Sequence, residues 1–181
     1  MNKNLTRLTY MRILGIDPGT AITGYAILDT SGQTLTVRDL GCITTDKKST
    51  QAEKLVEISE SLCELLEMWK PEEIAIEKLF FAKNVTTAVT VAQARGVILH
   101  TIQQRGLGHC EYTPKEIKLA VCGSGSADKK AVQKMVQILC NLKTIPQIDD
   151  AADAIAAAIC HAQQLPIRRL AHNKTSLLEA S

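Results

Sequence analysis

The tightest constraint on this chain is a short stretch near its start, Arg12-Ile13-Leu14-Gly15-Ile16-Asp17-Pro18-Gly19-Thr20, followed at once by Ile22-Thr23-Gly24-Tyr25-Ala26-Ile27-Leu28-Asp29. An apolar run closed by one carboxylate, a Pro-Gly turn and a second apolar run read as a β-hairpin whose first strand carries an acid near its end. Asp17 then has two readings. Asp before Pro-Gly is good turn chemistry in its own right. A strand apolar on both sides is also largely buried, and a carboxylate there is costly unless a cation or hydrogen-bond donors compensate it. A metal ion is the natural candidate, and the rest of the chain weighs on the choice.

Residues 12–17, 22–29 and 33–44 read as three strands separated by Pro18-Gly19 and Ser31-Gly32, so the fold opens as an antiparallel meander. Residues 51–69 switch to helical period, with Leu55, Ile58, Leu62, Leu65 and Leu66 on one stripe, and Pro71 stops the helix. Glu73–Glu77 is a short strand reached by that crossover. If it lies parallel to the first strand, Glu77 and Asp17 share the carboxyl edge, where open α/β sheets place their ligands. Residues 85–104 form a helix so low in charge that burial on more than one face is expected, either in the core or against a second copy of the chain.

A strand at 109–113 and a helix from Pro114 to about Val121 follow. Gly123-Ser124-Gly125-Ser126-Ala127 lacks the lysine placement of a phosphate-binding P-loop, and helical period resumes from Lys129 to Cys140. The last organised piece, Asp149 to Cys160, is an alanine-rich helix with acids at its positive end. In it Asp150 and Asp153 stand about 60° apart around the axis and share one face. After Leu165-Pro166, Arg168, Arg169, His172 and Lys174 follow without periodicity. The expected organisation is a loose extension over residues 1–10, one domain over 11–166 and a flexible basic tail over 167–181.

With 181 residues, 45% of them hydrophobic, the chain can bury a proper core. No apolar run approaches the roughly 20 residues that span a bilayer, and no hydrophobic signal core is present, so a cytoplasmic protein without a membrane partner is expected. Cys42, Cys63, Cys110, Cys122, Cys140 and Cys160 form no C-x-x-C pair and read as reduced, mostly buried small hydrophobes. Net charge is only +2, but residues 53–77 hold eight acids against Lys54 and Lys70. Residues 115–143 hold Lys115, Lys118, Lys129, Lys130, Lys134 and Lys143 against Glu116 and Asp128. Either these are solvated helix surfaces, or one face meets phosphate while the other stays in water.

Directly after Glu77 stand the two phenylalanines, Phe80 and Phe81; both belong to the core, or one faces the site as a wedge or stacking platform for a base. Asp17, Glu77, Asp150 and Asp153 cannot all remain ionised near one another without cations. Hard oxygen ligands in this number, with no thiolate or imidazole nearby in sequence, select magnesium or manganese. Two such ions about 4 Å apart serve in-line displacement at phosphorus, which is nuclease chemistry.

Together, G-I-D-P-G-T with the following T-G-Y, I-E-K-L-F-F-A-K-N, A-Q-A-R-G-V at 92–97 and D-A-A-D-A-I-A at 150–156 resemble the RuvC family of Holliday-junction resolvases, in order over about residues 11–165. The resemblance implies an α/β, ribonuclease H-like fold with a mixed central sheet and helices on both faces. It implies a homodimer that resolves four-way DNA junctions in recombination and repair by paired, symmetric nicking of strands of like polarity. The ends left are 5′-phosphate and 3′-hydroxyl. Two Mg2+ ions per active site are implied, with Mn2+ as a substitute, as is action beside the RuvA and RuvB branch-migration proteins. Asp17, Glu77, Asp150 and Asp153 match the family's catalytic, metal-holding carboxylates. Lys118 and Lys129 match basic residues that approach the scissile phosphate, Phe80 matches the aromatic that stacks on DNA, and 85–104 matches the dimer region.

Three features depart from the pattern: the connection before the last helix is one residue longer than usual, Asp149 adds an extra acid beside Asp150, and a ten-residue N-terminal extension precedes the match. The i,i+3 spacing to Asp153 favours Asp150 as the ligand. An actin-like or sugar-kinase-type ATPase also opens with such a strand and hairpin, but it needs a second phosphate motif and a larger, two-lobed chain. A non-catalytic junction-binding module would use the basic loops, yet four acids repel DNA unless metal is bound.

Overall fold

The computed structural model describes residues 10–78, 85–144 and 149–178, with 85–87 and 166–178 described in backbone alone. Strands β1 (Tyr10–Asp17), β2 (Ile22–Ser31) and β3 (Thr34–Thr44) form the expected antiparallel meander. The Pro18-Gly19 turn is fastened from below by buried Thr23, whose hydroxyl donates to the Gly19 carbonyl at 2.5 Å and accepts from the Gly19 N–H at 3.3 Å. Helix α1 (Gln51–Trp69) starts at a capping box, Thr50 with Glu53. It ends on Lys70, which takes the left-handed conformation at φ 48 and bonds its N–H back to the Leu66 carbonyl.

The chain then enters β4 (Glu73–Glu77), parallel to β1, and after α2 (Val85–Gln104) returns as β5 (Cys110–Tyr112), parallel to β4. The sheet order is β3-β2-β1-β4-β5. Helices α3 (Pro114–Cys122), α4 (Lys129–Leu139) and α5 (Asp149–Leu178) complete the chain. Alternation along β1 divides the core into two layers. Leu14 and Ile16 pack with Ile58, Leu62, Ile98 and Ile102 of α1 and α2, while Met11 and Ile13 pack with Ile117, Val132 and the alanine face of α5. The mixed sheet with helices on both faces is the architecture that the resemblance implies.

At the end of the sheet far from Asp17, Asp29 is only 3% exposed and takes Arg12 Nε at 2.8 Å on one oxygen and Arg38 Nε at 2.5 Å on the other. Arg12 lies over the Tyr10 and Trp69 rings as well. Burial pushes the Asp29 carboxyl up, but the hydrogen bonds from Arg12, Tyr10 and Arg38 prevail and hold it at about 2.

Three expectations need correction. The tail is not structureless after Pro166: α5 runs on to Leu178. Ile167, Leu170, Ala171, Leu177 and Leu178 recur at helical spacing, and a proline in a helix interior deletes one backbone bond without having to end the helix. The cysteines are all free thiols, but only Cys140 and Cys160 are buried; Cys42, Cys63, Cys110 and Cys122 are half-buried. Helix α2 buries one described side, through Ala94, Ile98 and Ile102, and leaves Val89 exposed at 54%, so of the two readings it is not wholly core. β1 begins at Tyr10, and residues 1–9 of the extension lie outside the described part. Among the described residues no helix is long and apolar enough to cross a membrane.

Candidate active site at the carboxyl edge of the sheet

Asp17 and Glu77 are the last residues of neighbouring parallel strands. The register pairs Ile16 with Ile76, so the two acids stand one step further on, side by side at a strand spacing of about 4.8 Å. Both fall on the face that carries Ile13, Gly15 and Ala75, which is the face α5 covers.

Helix α5 reaches that face because two glycines admit it. A Cβ on Gly15 would overlap the Ala154 carbonyl, and one on Gly24 would overlap the Asp150 carbonyl. β2 pairs Gly24 with Asp17, so the contact at Gly24 sets the first turn of α5, with Asp150, down beside Asp17. Buried Ala151, Ala152 and Ala154 keep that turn slim.

The electrostatics report the convergence. Burial, then the charges of Glu77, Asp153 and Asp150, push the Asp17 carboxyl up to about 8, against a partial offset from Lys129. Glu77 is pushed up to about 7 by burial and then Asp153, with Lys118 and Lys129 opposing. Asp153 is raised as well, by burial first, with Lys129 opposing and Asp150 and Asp149 adding to it. Groups that shift one another in this way share one neighbourhood.

Two lysines face the acids. Lys129 opens α4, whose cap Asp128 accepts the Ala131 N–H at 2.8 Å. Its Nζ lies 3.3 Å from Asp149 Oδ2 and 3.5 Å from Asp153 Oδ2. Burial lowers its pKa, but Asp153 and Asp149 outweigh that and leave it raised. Lys118 of α3 joins Glu77, Lys129 and Asp153 in lining a cavity of about 250 Å³, floored by Ile117 and Val132. The cavity is thus lined by both carboxylates and ammonium groups.

Among the described residues, no three acids, histidines or cysteines close into a ready metal cage. The carboxylates ring an open edge, and Lys129 occupies one side of Asp153. Their chemistry fits a hard divalent cation: the donors are oxygen only and half-buried, and two of them, Asp17 and Glu77, are held far above the usual carboxylate range by burial first and by neighbouring acids second.

Asp150 and Asp149 face different neighbours. Asp150 is among the charges that raise Asp17, whereas Asp149 turns to α4 and accepts from Gln133 Nε2 at 2.8 Å and from Lys129. Phe80 lies outside the described residues. Cys42 of β3, opposite Gly24 in the sheet, was not singled out by the sequence. Its thiol is pushed up by burial and by the charges of Asp150 and Asp17, and it accepts a hydrogen bond from the Ala151 N–H. Only strand register brings it there, and no motif announces it.

The family model described as crossover junction endodeoxyribonuclease RuvC matches residues 13–161. The crossover junction endodeoxyribonuclease RuvC of Roseiflexus sp. (strain RS-1) is 46% identical over 164 residues, covering 90% of this chain and 98% of that protein. That of Pseudothermotoga lettingae is 49% identical over 151 residues, covering 83% and 93%. The structure of Thermus thermophilus RuvC superposes with a TM-score of 0.80 at 29% identity, covering 87% of this chain and 96% of that one. A second structure holds the Thermus protein in complex with Holliday junction substrate. On sequence over nearly its whole length, and on a ribonuclease H-like fold, the chain belongs to the RuvC family of crossover junction endodeoxyribonucleases.

Proposed function

We propose that Asp17, Glu77, Asp150 and Asp153 are the catalytic carboxylates with which this crossover junction endodeoxyribonuclease resolves Holliday junctions. The observation that carries the reading is the convergence at one sheet edge: Asp17 and Glu77 end neighbouring parallel strands and the Asp150 carbonyl lies over Gly24 beside Asp17, an arrangement in which burial and then neighbouring acids push Asp17 up to about 8 and Glu77 to about 7. Asp17, Glu77, Asp150 and Asp153 would hold a pair of Mg2+ ions, with Mn2+ as substitute, whose positive charge would favour an activated water and a stabilised leaving oxygen at phosphorus. The chain's own residues do the rest. The strand ends fix Asp17 and Glu77, α5 brings Asp150 and Asp153 to meet them, and Lys118 and Lys129 draw the phosphodiester into the cleft.

Two nicks on strands of like polarity, leaving 5′-phosphate and 3′-hydroxyl ends, require two such sites, hence a homodimer built on α2; exposed Val89 on that helix suits a second copy. Phe80 is assigned to stacking on junction bases, and RuvA and RuvB to partnership on the same DNA. The test is a synthetic four-way junction beside a plain duplex, with Mg2+ present. The protein nicks the junction in symmetric pairs and spares the duplex, and Asp17→Asn binds the junction without cutting it. Undiminished cutting by Asp17→Asn would remove the proposal.

A further inference from the structure

Lys129 shares its ammonium between two acids that play different parts. One partner, Asp153, belongs to the carboxylate set; the other, Asp149, is bonded to Gln133 and Lys129 of α4 and is not among the charges that raise Asp17. The second oxygen of Asp149 is fixed by Gln133 Nε2 at 2.8 Å, and Gln133 stands one turn after Lys129 on α4. Lys129 therefore has two seats within reach of the same Nζ, at 3.3 Å and 3.5 Å, and a half-exposed flexible stem that needs no backbone movement to favour one over the other.

We infer that Lys129 is a built-in competitor for the divalent cation at Asp153, and that Asp149, braced by Gln133, is the alternative seat that takes the ammonium when the cation binds. The inference rests on the reading of the four carboxylates as a metal site. An ammonium ion and a divalent cation repel each other when both lie against one carboxylate, so cation binding favours the arrangement with Lys129 on Asp149. Asp149 keeps Lys129 beside the cleft, ready for phosphate, while it clears Asp153. Without the charge at position 149, the ammonium stays on Asp153 and opposes the cation. Asp149 is thus a positioning residue, acting through Lys129.

The competition is read by binding of Mn2+ to the DNA-free protein, followed by the loss of the free-ion electron paramagnetic resonance signal. Lys129→Met tightens Mn2+ binding about threefold, the scale of a half-exposed ion pair. Asp149→Asn weakens it by about the same factor, and Gln133→Ala weakens it less. In the Lys129→Met background, Asp149→Asn has a much smaller effect, because there is no ammonium left to seat and only the direct field of Asp149 at Asp153 is lost. Two results overturn the inference alone: unchanged affinity in Lys129→Met, or a full Asp149→Asn loss that persists without Lys129, which would make Asp149 a direct ligand. Wild-type Mn2+ affinity in both Asp17→Asn and Asp153→Asn would overturn the metal-site reading itself, and the inference with it.

Discussion

At the scale of single residues, the site works by holding charge where it is poorly compensated. Glu77 keeps its carboxyl raised because it is buried and faces Asp153, with Lys118 and Lys129 only partly offsetting that. Glu77→Gln retains the shape and loses the charge. It should bind a four-way junction and cut it about a hundredfold more slowly or worse, the scale on which loss of one charge-stabilising group is felt, as a single-turnover cleavage assay measures. Lys118 lines the same cleft. Lys118→Met should weaken junction binding and reduce the slope of log affinity against log salt by about 0.9, the loss of one phosphate contact, as a salt titration of binding measures. The place of Asp17 at the end of a buried strand was legible in the sequence because apolar runs flank it on both sides, and the shared face of Asp150 and Asp153 because of their helical spacing. Cys42 and the outward turn of Asp149 were not legible. Their neighbours come from β2, α4 and α5, and no local pattern encodes which distant element is adjacent.

At the scale of elements, the decisive contact is α5 against the meander. Gly24 reads in the sequence as one more small residue in an apolar strand, yet it is the position over which the Asp150 carbonyl passes. Gly24→Ala forces the first turn of α5 to retreat from β2, carrying Asp150 away from Asp17. Overpacking of this kind costs about 1–3 kcal/mol. A loss of cutting far larger than the fall in melting temperature accounts for, measured on the same preparation, is the expected outcome; a variant that melts early but cuts normally would show that the contact serves stability alone. The strand and helix order was legible from period and from Pro and Gly punctuation. The capping boxes at Thr50 and Thr113 reinforce two of the helix starts. The continuation of α5 past Pro166 was not legible, because one proline and a cluster of basic residues masked the recurrence of Ile167, Leu170, Ala171, Leu177 and Leu178.

At the scale of the whole molecule, the sheet separates two chemistries. The acid-rich α1 lies on one side with α2, and the lysine-bearing α3 and α4 lie on the other with α5, so the face that holds the carboxylates is also the one with cations to offer DNA. The two ends of the sheet oppose each other in their response to pH. Asp29 is held at about 2, below its ordinary 3.8, so its stabilisation is complete above about pH 4 and is lost as pH falls toward 2; the difference amounts to about 2 kcal/mol. Asp17 and Glu77 are displaced the other way, to about 8 and about 7. The folded chain holds their protons better than the unfolded chain, so stability declines as pH rises from about 4 through 8 and levels off beyond. In the metal-free protein these groups together place the greatest stability near pH 4. Thermal melts across this range in EDTA should show an acid limb and an alkaline limb. Asp29→Asn flattens the first and lowers stability at neutral pH, whereas Asp17→Asn flattens the second and raises the melting temperature at pH 8. Mg2+ added to the wild type at pH 8 restores what ionisation removes, since it binds the folded site in its charged form. An alkaline decline that survives unchanged in Asp17→Asn would show that the destabilisation arises elsewhere, and that the carboxyl edge is not where this fold stores its charge strain.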